Sequence, residues 1–355
     1  MMAYQVRVAL LGVGTIGREL LRLTRRNPVY KYVALADTSG AITRNEGFTD
    51  AQLAEIIKLK ESGGHLREVL GGHVRHDDMR SVLGQCPFDA LVDVTATQTY
   101  DLIHEALDHG HVVTANKIPL ADVDYLKFKG LISKARERSR VLDYGTTAGA
   151  GMRIPDLIDG MGANGIDRLT GCLSGTMSYV SQRLNAGASL SSAIREAMEP
   201  PRSYTEPDPR VDLEGLDFAR KLVILARACG RDVGLETVEI EGLVPDHLKG
   251  VPLERFLENL ADLDSATGTR FEAAEAEGKV SWYVGTADLV NDKYTIGFED
   301  FPAGDPIASS KESDNVLKLY PTGWGRPVTV IGPGAGPTET AAGVIRGLKV
   351  VSDAL

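Results

Sequence analysis

An aspartate and a lysine four residues apart carry the most specific chemistry in this sequence. Asp217 and Lys221 share one stripe of a helix predicted over Glu214–Cys229, and Ile224 and Ala228 continue that stripe. Because the pair leads into apolar residues, we expect it to be half buried, unlike an ordinary surface ion pair. A lysine held beside a carboxylate can donate a proton to a carbonyl oxygen that is gaining a hydride. An interface salt bridge is the alternative.

An acidic, proline-containing segment precedes this helix. Ser203–Asp212 reads SYTEPDPRVD, and its two prolines restrict the backbone around three carboxylates, Glu206, Asp208 and Asp212. Carboxylates held on a stiff loop suit a substrate that bears an amine. An exposed acidic turn is the other interpretation.

Two further segments are candidates for substrate contacts. Leu173–Thr176 ends a predicted strand and opens a predicted helix over Met177–Asn185, so its backbone N–H groups could bind a carboxylate. Lys117 follows a buried strand, His111–Thr114, and therefore lies at the strand's carboxyl end. An ordinary surface lysine remains the alternative there. The chain has no G-x-S-x-G elbow around Ser174, so nothing indicates a serine hydrolase.

A glycine fingerprint close to the N-terminus indicates a dinucleotide. The motif G-x-G-x-x-G follows a strand predicted over Tyr4–Leu11 and opens a helix. A second strand, Tyr32–Ala36, ends in Asp37, twenty residues after the last glycine, where an acid would accept hydrogen bonds from the adenosine ribose. A glycine-rich turn without a ligand is the alternative. The candidate cofactor residues here are Gly12, Gly14, Thr15, Ile16, Gly17 and Asp37.

The acidic residue gives a slight preference between the two nicotinamide dinucleotides. A carboxylate at Asp37 would repel a 2′-phosphate, which favours NAD over NADP. Arg44 lies a few residues further on and could pair with that phosphate if its loop folds back. The sequence alone does not settle the cofactor.

Alternating strands and helices predict an α/β fold with a Rossmann-type, doubly wound parallel sheet. We expect a dinucleotide-binding domain over 1–148, to which 332–355 returns, and a second α+β domain over 149–331 for substrate binding, catalysis and dimerisation. The predicted strands of the first domain beyond Asp37 are Ala90–Thr95, His111–Thr114 and Arg140–Tyr144, and those of the second are Leu169–Leu173, Trp282–Thr286, Tyr294–Phe298 and Pro327–Ile331.

Composition excludes several classes of protein. The chain has 355 residues and a formal net charge of −10, which argues against nucleic acid or an anionic membrane as the main partner. Its three cysteines are far apart, so neither a disulfide framework nor a thiolate zinc site is expected. We find no apolar run of membrane-spanning length and no signal peptide, and therefore expect a cytoplasmic protein.

Taken together, these motifs resemble homoserine dehydrogenases, most closely the dehydrogenase portion of the bifunctional aspartokinase–homoserine dehydrogenases. The resemblance implies NAD(P)-dependent interconversion of L-homoserine and L-aspartate 4-semialdehyde, a step towards threonine and methionine, by a homodimer joined through the second domain's sheet. The matching stretches, which extend over essentially the whole chain, are GVGTIG (Gly12–Gly17), VVTANK (Val112–Lys117), AGAG (Ala148–Gly151), LSGTMSY (Leu173–Tyr179), YTEPDPRVDLEGLDFARKLVILAR (Tyr204–Arg227) and GPGAGPTETAAGV (Gly332–Val344).

The resemblance also assigns roles to individual residues. It places Lys117 and Lys221 near the reacting carbonyl, with Lys221 the stronger proton donor and Asp217 orienting it or the substrate hydroxyl. Glu206 would lie near the substrate ammonium. The other implied substrate residues are Asp212, Thr176, Tyr204 and Gly175, and the other implied cofactor residues are Thr95, Lys117 and Gly334, the last in a segment that closes over the nicotinamide.

Three positions depart from the family pattern. In the family, an acidic residue usually precedes the glycine-rich hinge between the domains, which is Ala148–Gly151 here, and helps to bind a sodium ion. The residue at that place is Gly145, with Asp143 nearby. The proline usual after the hinge is Arg153, and the glycine usual before YTEPDP is Ser203. Backbone carbonyls remain as possible sodium ligands, namely those of Ala148, Ala150 and Met152. Whether a cation binds, and how these changes affect substrate scope, stays open.

These departures keep two alternatives open. The first is a related NAD(P)-dependent dehydrogenase of another small amino- or hydroxy-acid, and the second is a non-catalytic NAD(P)-binding sensor. The sequence shows neither a kinase nor a regulatory domain, so we expect no feedback inhibition by threonine through an appended domain. Flux direction is not readable from the sequence.

Overall fold

Strands and helices alternate along the chain in the computed structural model, which describes residues 5–161 and 165–355. The strands are β1 (Val6–Leu11), β2 (Tyr30–Asp37), β3 (Gly40–Thr43), β4 (Val74–His76), β5 (Ala90–Asp93), β6 (His111–Thr114), β7 (Leu142–Asp143), β8 (Ile166–Cys172), β9 (Val238–Ile240), β10 (Lys279–Asp288), β11 (Lys293–Pro302), β12 (Asp314–Pro321) and β13 (Val328–Pro333).

Most helices are short to medium in length. They are α1 (Thr15–Thr24), α2 (Asp50–Glu61), α3 (Tyr100–Ala106), α4 (Ile118–Ala121), α5 (Tyr125–Glu137), α6 (Ile154–Gly160), α7 (Gly175–Asn185), α8 (Leu190–Met198), α9 (Arg210–Leu213), α10 (Leu216–Ala228), α11 (Leu253–Glu258), α12 (Gly268–Ala276) and α13 (Pro337–Ala354). None of the described helices is long and apolar enough to cross a membrane.

The chain divides into two compact units. The first comprises Met1–Pro155 and Gly336–Leu355, and the second comprises Asp156–Ala335. The domain limits expected from sequence, 148/149 and 331/332, fall a few residues before these divisions. Sheet pairing explains the second difference, because β13 belongs to the second unit and continues to Pro333.

The first unit contains one sheet in the order β4-β3-β2-β1-β5-β6-β7. The neighbouring strands β2, β1, β5, β6 and β7 pair in parallel, and the strand order reverses at β1, as in a Rossmann-type sheet. The prediction of a parallel sheet is confirmed for these five strands. Two further strands that we did not predict, β3 and β4, pair antiparallel at one edge. Only two residues connect Asp37 to Gly40, and so short a turn can join β2 and β3 only as antiparallel strands.

The returning C-terminal helix completes the core of this unit. Buried side chains of α13 join the apolar cluster formed by β1, β2, β5 and the helices α1 and α2. Burial of each valine or leucine among them stabilises the fold by roughly 1.5–3 kcal/mol. The contributing residues of α13 are Ala341, Val344, Leu348 and Val351.

The second unit has a sheet in the order β13-β12-β8-β10-β11-β9, antiparallel except for the pair β11–β9. The predicted α+β character is thus confirmed, although β9 and β12 were not predicted. Strand limits differ from expectation by a few residues. For example, the strand expected over Arg140–Tyr144 is reduced to β7, and Tyr4, the expected start of the first strand, lies outside the described residues.

Candidate active-site residues

Local geometry requires glycine at two of the three fingerprint positions, Gly12 and Gly17. Gly12 has φ +101°, which disfavours any side chain. A Cβ on Gly17 would lie 1.9 Å from the carbonyl oxygen of Gly12, so helix α1 can approach β1 only with glycine there. A Cβ on Gly14 would meet nothing within 4 Å, because this residue faces open space. Thr15 and Ile16 form the first turn of α1, whose N–H groups have no partner within the helix.

A cleft of about 760 Å³ lies along Gly12 and Gly14 within the first unit. Its size is in the range of small-molecule and cofactor sites. Gly12, Gly14, Asp37 and Thr95 line the cleft, as expected for cofactor residues. Three cations also line it, none of which we had singled out from sequence: Arg18, Lys60 and Arg80.

Asp37 is already paired in this cleft. Its carboxylate lies 2.7 Å from Lys60 Nζ and accepts hydrogen bonds from the backbone and hydroxyl of Ser39. Burial would raise the pKa of Asp37, but the hydrogen bonds from Lys60 and Ser39 outweigh it and hold the pKa below its usual value. Arg44, the other candidate for phosphate binding, instead donates to the carbonyl of Gly72 at 2.9 Å and lines a different cavity.

A buried polar network that sequence reasoning missed holds the loop beside Thr95. Asp93, fully buried at the end of β5, accepts hydrogen bonds from the backbone and hydroxyl of Thr95 and from the hydroxyl of Thr99. The amide of Asn116 donates to the same carboxylate at 3.1 Å. Lys117 follows directly and forms the N-terminal end of α4. The signal in the sequence was a lone aspartate ending the apolar strand ALVD.

In the second unit, Lys221 and Asp217 form the expected ion pair. Lys221 Nζ lies 2.9 Å from Asp217 Oδ2 and donates to the carbonyl oxygen of Leu173 at 2.8 Å. The lysine side chain is 11% exposed and the aspartate 46% exposed, so the predicted half-buried pair is confirmed. Because Leu173 ends the strand segment that leads into α7, this contact ties α10 to the LSGT motif.

The three carboxylates of the acidic loop have different partners. Asp208 is held by Arg210, whose Nε and Nη2 atoms lie 2.6–3.1 Å from it and lower its pKa. Asp212 accepts a hydrogen bond from the backbone N–H of Glu206 at 2.8 Å and lies 2.8 Å from the hydroxyl of Thr176. Glu206 itself is exposed. Of the three, the Glu206 carboxylate is therefore the one best placed to meet a ligand from solvent.

Burial raises the pKa of Asp212. The hydroxyl of Thr176 also lies 2.7 Å from the carbonyl oxygen of Tyr204. Asp212 and Thr176 thus link the start of α7 to both ends of the acidic loop.

The start of the acidic loop has an unfavourable backbone conformation. Ser203 has φ +45°, in the left-handed region, which explains why glycine suits this position. The hydroxyl of Tyr204 donates to the carboxylate of Glu312 at 3.2 Å. The departure from the family pattern at Ser203 therefore introduces local strain at the edge of the candidate substrate residues.

Two glycines of the second unit permit close approach of chain segments. A Cβ on Gly175 would lie 3.0 Å from the carbonyl oxygen of Ser313. A Cβ on Gly334 would lie 1.8 Å from the side-chain amide of Asn315, which is 1% exposed and has no hydrogen-bond partner among the described residues. Asn315 is a candidate that the sequence did not reveal, because its strand was not predicted. Gly334 packs beside it within the second unit.

The hinge carbonyls do not form a donor set that suits sodium. The expected ligands were the backbone carbonyls of Ala148, Ala150 and Met152. The first two already accept hydrogen bonds from the same segment, each at 3.2 Å. Position 145 offers no carboxylate, and both oxygens of Asp143 are bound by Arg153. Within residues 5–161 and 165–355, no group of three or more His, Cys, Asp or Glu side chains could hold a metal ion.

Comparisons with known proteins point to one family. Residues 154–348 match the family model described as homoserine dehydrogenase. The homoserine dehydrogenase of Schizosaccharomyces pombe is 34% identical over 96% of this chain and 93% of that protein. The bifunctional aspartokinase/homoserine dehydrogenase 2 of Arabidopsis thaliana is 36% identical over 77% of this chain and 29% of that protein. A hyperthermophilic archaeal homoserine dehydrogenase, solved in complex with NADPH, shares the fold, with a TM-score of 0.74 and 21% identity over 99% of this chain and 98% of that one.

Proposed function

The chain belongs to the homoserine dehydrogenase family of oxidoreductases, and we propose that Lys221 is the proton donor of its reaction, the NAD(P)-dependent interconversion of L-homoserine and L-aspartate 4-semialdehyde. The observation that carries this proposal is the buried lysine held between Asp217 and the carbonyl of Leu173. A surface lysine can form such an i, i+4 pair, but it would not be buried and would not donate to the carbonyl at the end of a strand.

The chemistry divides between the bound dinucleotide and the protein. The nicotinamide supplies or accepts the hydride when it is bound. Lys221 presents a positive charge where negative charge develops on the substrate oxygen, and it donates the proton there. Asp217 orients the ammonium group of Lys221. Lys117 serves as a second cation for the reacting carbonyl.

The contacts in the acidic loop support a division of labour in substrate binding. Glu206 binds the substrate ammonium, because its carboxylate is exposed while Asp208 is taken by Arg210. Asp212, Thr176 and the backbone of Tyr204 hold that loop in shape. The backbone N–H of Gly175, at the start of α7, is available for the substrate carboxylate.

The cleft in the first unit supports binding of the dinucleotide along Gly12 to Gly17 and towards Thr95. The archaeal relative was solved in complex with NADPH, which supports the binding of a nicotinamide dinucleotide here. We retain NAD as the slightly favoured cofactor on the strength of Asp37. The pairing of that carboxylate with Lys60 reduces its repulsion of a 2′-phosphate, so we expect both cofactors to be used.

We extend the proposal to assembly and location. A homodimer joined through the sheet of the second unit is expected, and light scattering on the purified protein tests it. The three cysteines Cys86, Cys172 and Cys229 are free, which is compatible with a cytoplasmic protein.

The test is the oxidation of NADH and of NADPH in the presence of aspartate 4-semialdehyde, followed by nicotinamide absorbance. Turnover with this aldehyde and none with other short aldehydes supports the proposal. Binding of dinucleotide without turnover would instead support the sensor alternative, and turnover only with another substrate would support a related dehydrogenase.

A further inference from the structure

A buried ion pair lies at the hinge of the first unit. Arg153 Nη2 and Nη1 lie 2.6 and 3.1 Å from the two oxygens of Asp143. The arginine side chain is 7% exposed and the aspartate 5% exposed. Nη1 also donates to the carbonyl oxygen of Gly343 in α13 at 2.8 Å. One guanidinium thus joins the end of β7, the hinge segment and the C-terminal helix.

The backbone adapts to place this guanidinium. Arg153 has φ +52° and Ala150 has φ +45°, both in the left-handed region that non-glycine residues rarely adopt. Such conformations persist where the surrounding contacts determine them. The three hydrogen bonds of the Arg153 side chain are contacts of that kind.

Helix α13 packs tightly against the same segment. A Cβ on Gly343 would lie 2.8 Å from Thr146 Oγ1 and 3.0 Å from the carbonyl oxygen of Ala150. A Cβ on Gly347 would lie 2.7 Å from Asp143 Oδ1. Little space therefore remains around the Asp143 carboxylate beyond that occupied by the guanidinium.

The two charges of this buried pair balance each other without an added ion. In the family pattern, an acidic residue before the hinge is neutralised by a bound sodium ion. Here that residue is Gly145, and the carboxylate that remains, Asp143, is neutralised by Arg153. A sodium ion at the hinge carbonyls would add a second positive charge close to the guanidinium, and both oxygens of Asp143 are already bound by Arg153.

We infer that Arg153 is a built-in cation that takes the place of the sodium ion, so that neither the fold nor the activity of this protein requires a monovalent metal ion. The loss of the acid at 145 and the gain of arginine at 153 are then one coupled change. This inference concerns the hinge and does not depend on which aldehyde is the substrate.

The first experiment uses the wild-type protein. Its melting temperature and its kcat/KM are measured in sodium, potassium and choline chloride at equal ionic strength. We expect the three salts to give the same values, within about twofold for kcat/KM. A saturable rise in either quantity with sodium or potassium, absent with choline, would overturn the inference.

The second experiment removes the guanidinium by Arg153→Ala. Breaking a buried pair from one side should lower the melting temperature on the order of 10 °C. Guanidinium chloride at millimolar, non-denaturing concentration should recover part of that loss, whereas sodium chloride should not. A variant as stable as wild type, or one rescued by sodium but not by guanidinium, would refute the role of Arg153.

A matched control is available in the second unit. Lys318 and Asp305 form a comparably buried pair, 2.7 Å apart and 10% and 13% exposed. Lys318→Ala should also lower the melting temperature, but guanidinium should not restore it. If Arg153→Ala does not fold, the salt series on the wild-type protein still decides the question.

Discussion

Replacing Lys221 by methionine separates its proposed chemical role from its structural one. Methionine keeps most of the buried stem and removes the Nζ atom, which contacts Asp217 and the carbonyl of Leu173. Two losses follow, and they are measured by different experiments.

The structural loss is modest. The Leu173 carbonyl loses a buried hydrogen-bond donor, which costs about 1–3 kcal/mol. Asp217 is nearly half exposed, so the loss of its partner adds only ~0–1 kcal/mol. The chemical loss is larger, because removing a general acid lowers kcat by roughly 10²–10⁴-fold, or about 3–5.5 kcal/mol of transition-state stabilisation.

The assay measures kcat and KM with aspartate 4-semialdehyde, together with the melting temperature of the same preparation. Lys318→Met is the control, since this lysine is similarly buried and paired with Asp305. We expect it to lose stability while kcat stays within about twofold of wild type. A folded Lys221→Met protein whose kcat lies within about tenfold of wild type would refute the reasoning, as would an equal loss of kcat in the control.

Three further outcomes are expected. Lys60→Ala should leave the carboxylate of Asp37 without its cation, so that it repels a 2′-phosphate and lowers kcat/KM for NADPH relative to NADH by about tenfold or more. Lys58→Ala on the same helix is the control. An unchanged ratio of the two kcat/KM values in Lys60→Ala would contradict this. Ser203→Gly should leave the substrate KM nearly unchanged, whereas Ser203→Pro should raise it on the order of tenfold, because proline cannot adopt φ +45°; equal KM values in the two variants would argue against a strained loop. Burial raises the pKa of Asp212 above its unfolded value, so the contribution of this group to stability should fall as the pH rises from the ordinary aspartate pKa through the raised one. Asp212→Asn should flatten that part of a plot of melting temperature against pH. An unchanged slope would show that another group titrates.

Features that depend only on residues close together in the sequence were predicted correctly from local patterns. The helical stripe that joins Asp217 to Lys221 is a property of 3.6 residues per turn, and the ion pair forms as expected. The glycine fingerprint was equally readable, because a tight turn and the approach of α1 to β1 require glycine at fixed positions.

Contacts between distant segments were not readable in this way. Nothing in the spacing of Asp37 and Lys60 indicates that they meet, because α2 must first pack beside the sheet. Arg153 was noted as a departure and Asp143 as a nearby acid, but their pairing depends on two left-handed residues that no periodic pattern encodes. Strand β12 and its buried Asn315 were missed for a related reason, since a strand's register depends on its neighbours in the sheet.

The division of the first unit into two stretches of chain has a consequence for the order of folding. Helix α13 supplies part of that unit's core, but residues 156–335 are synthesised before it. Joining the two stretches across a flexible loop of that length would cost about 4–5 kcal/mol of chain entropy. If the intervening unit folds first, the nascent chain carries a rigid insert in place of the loop. We therefore expect the second unit to become native first, although it is synthesised later. The first unit can complete its core only after α13 has been synthesised.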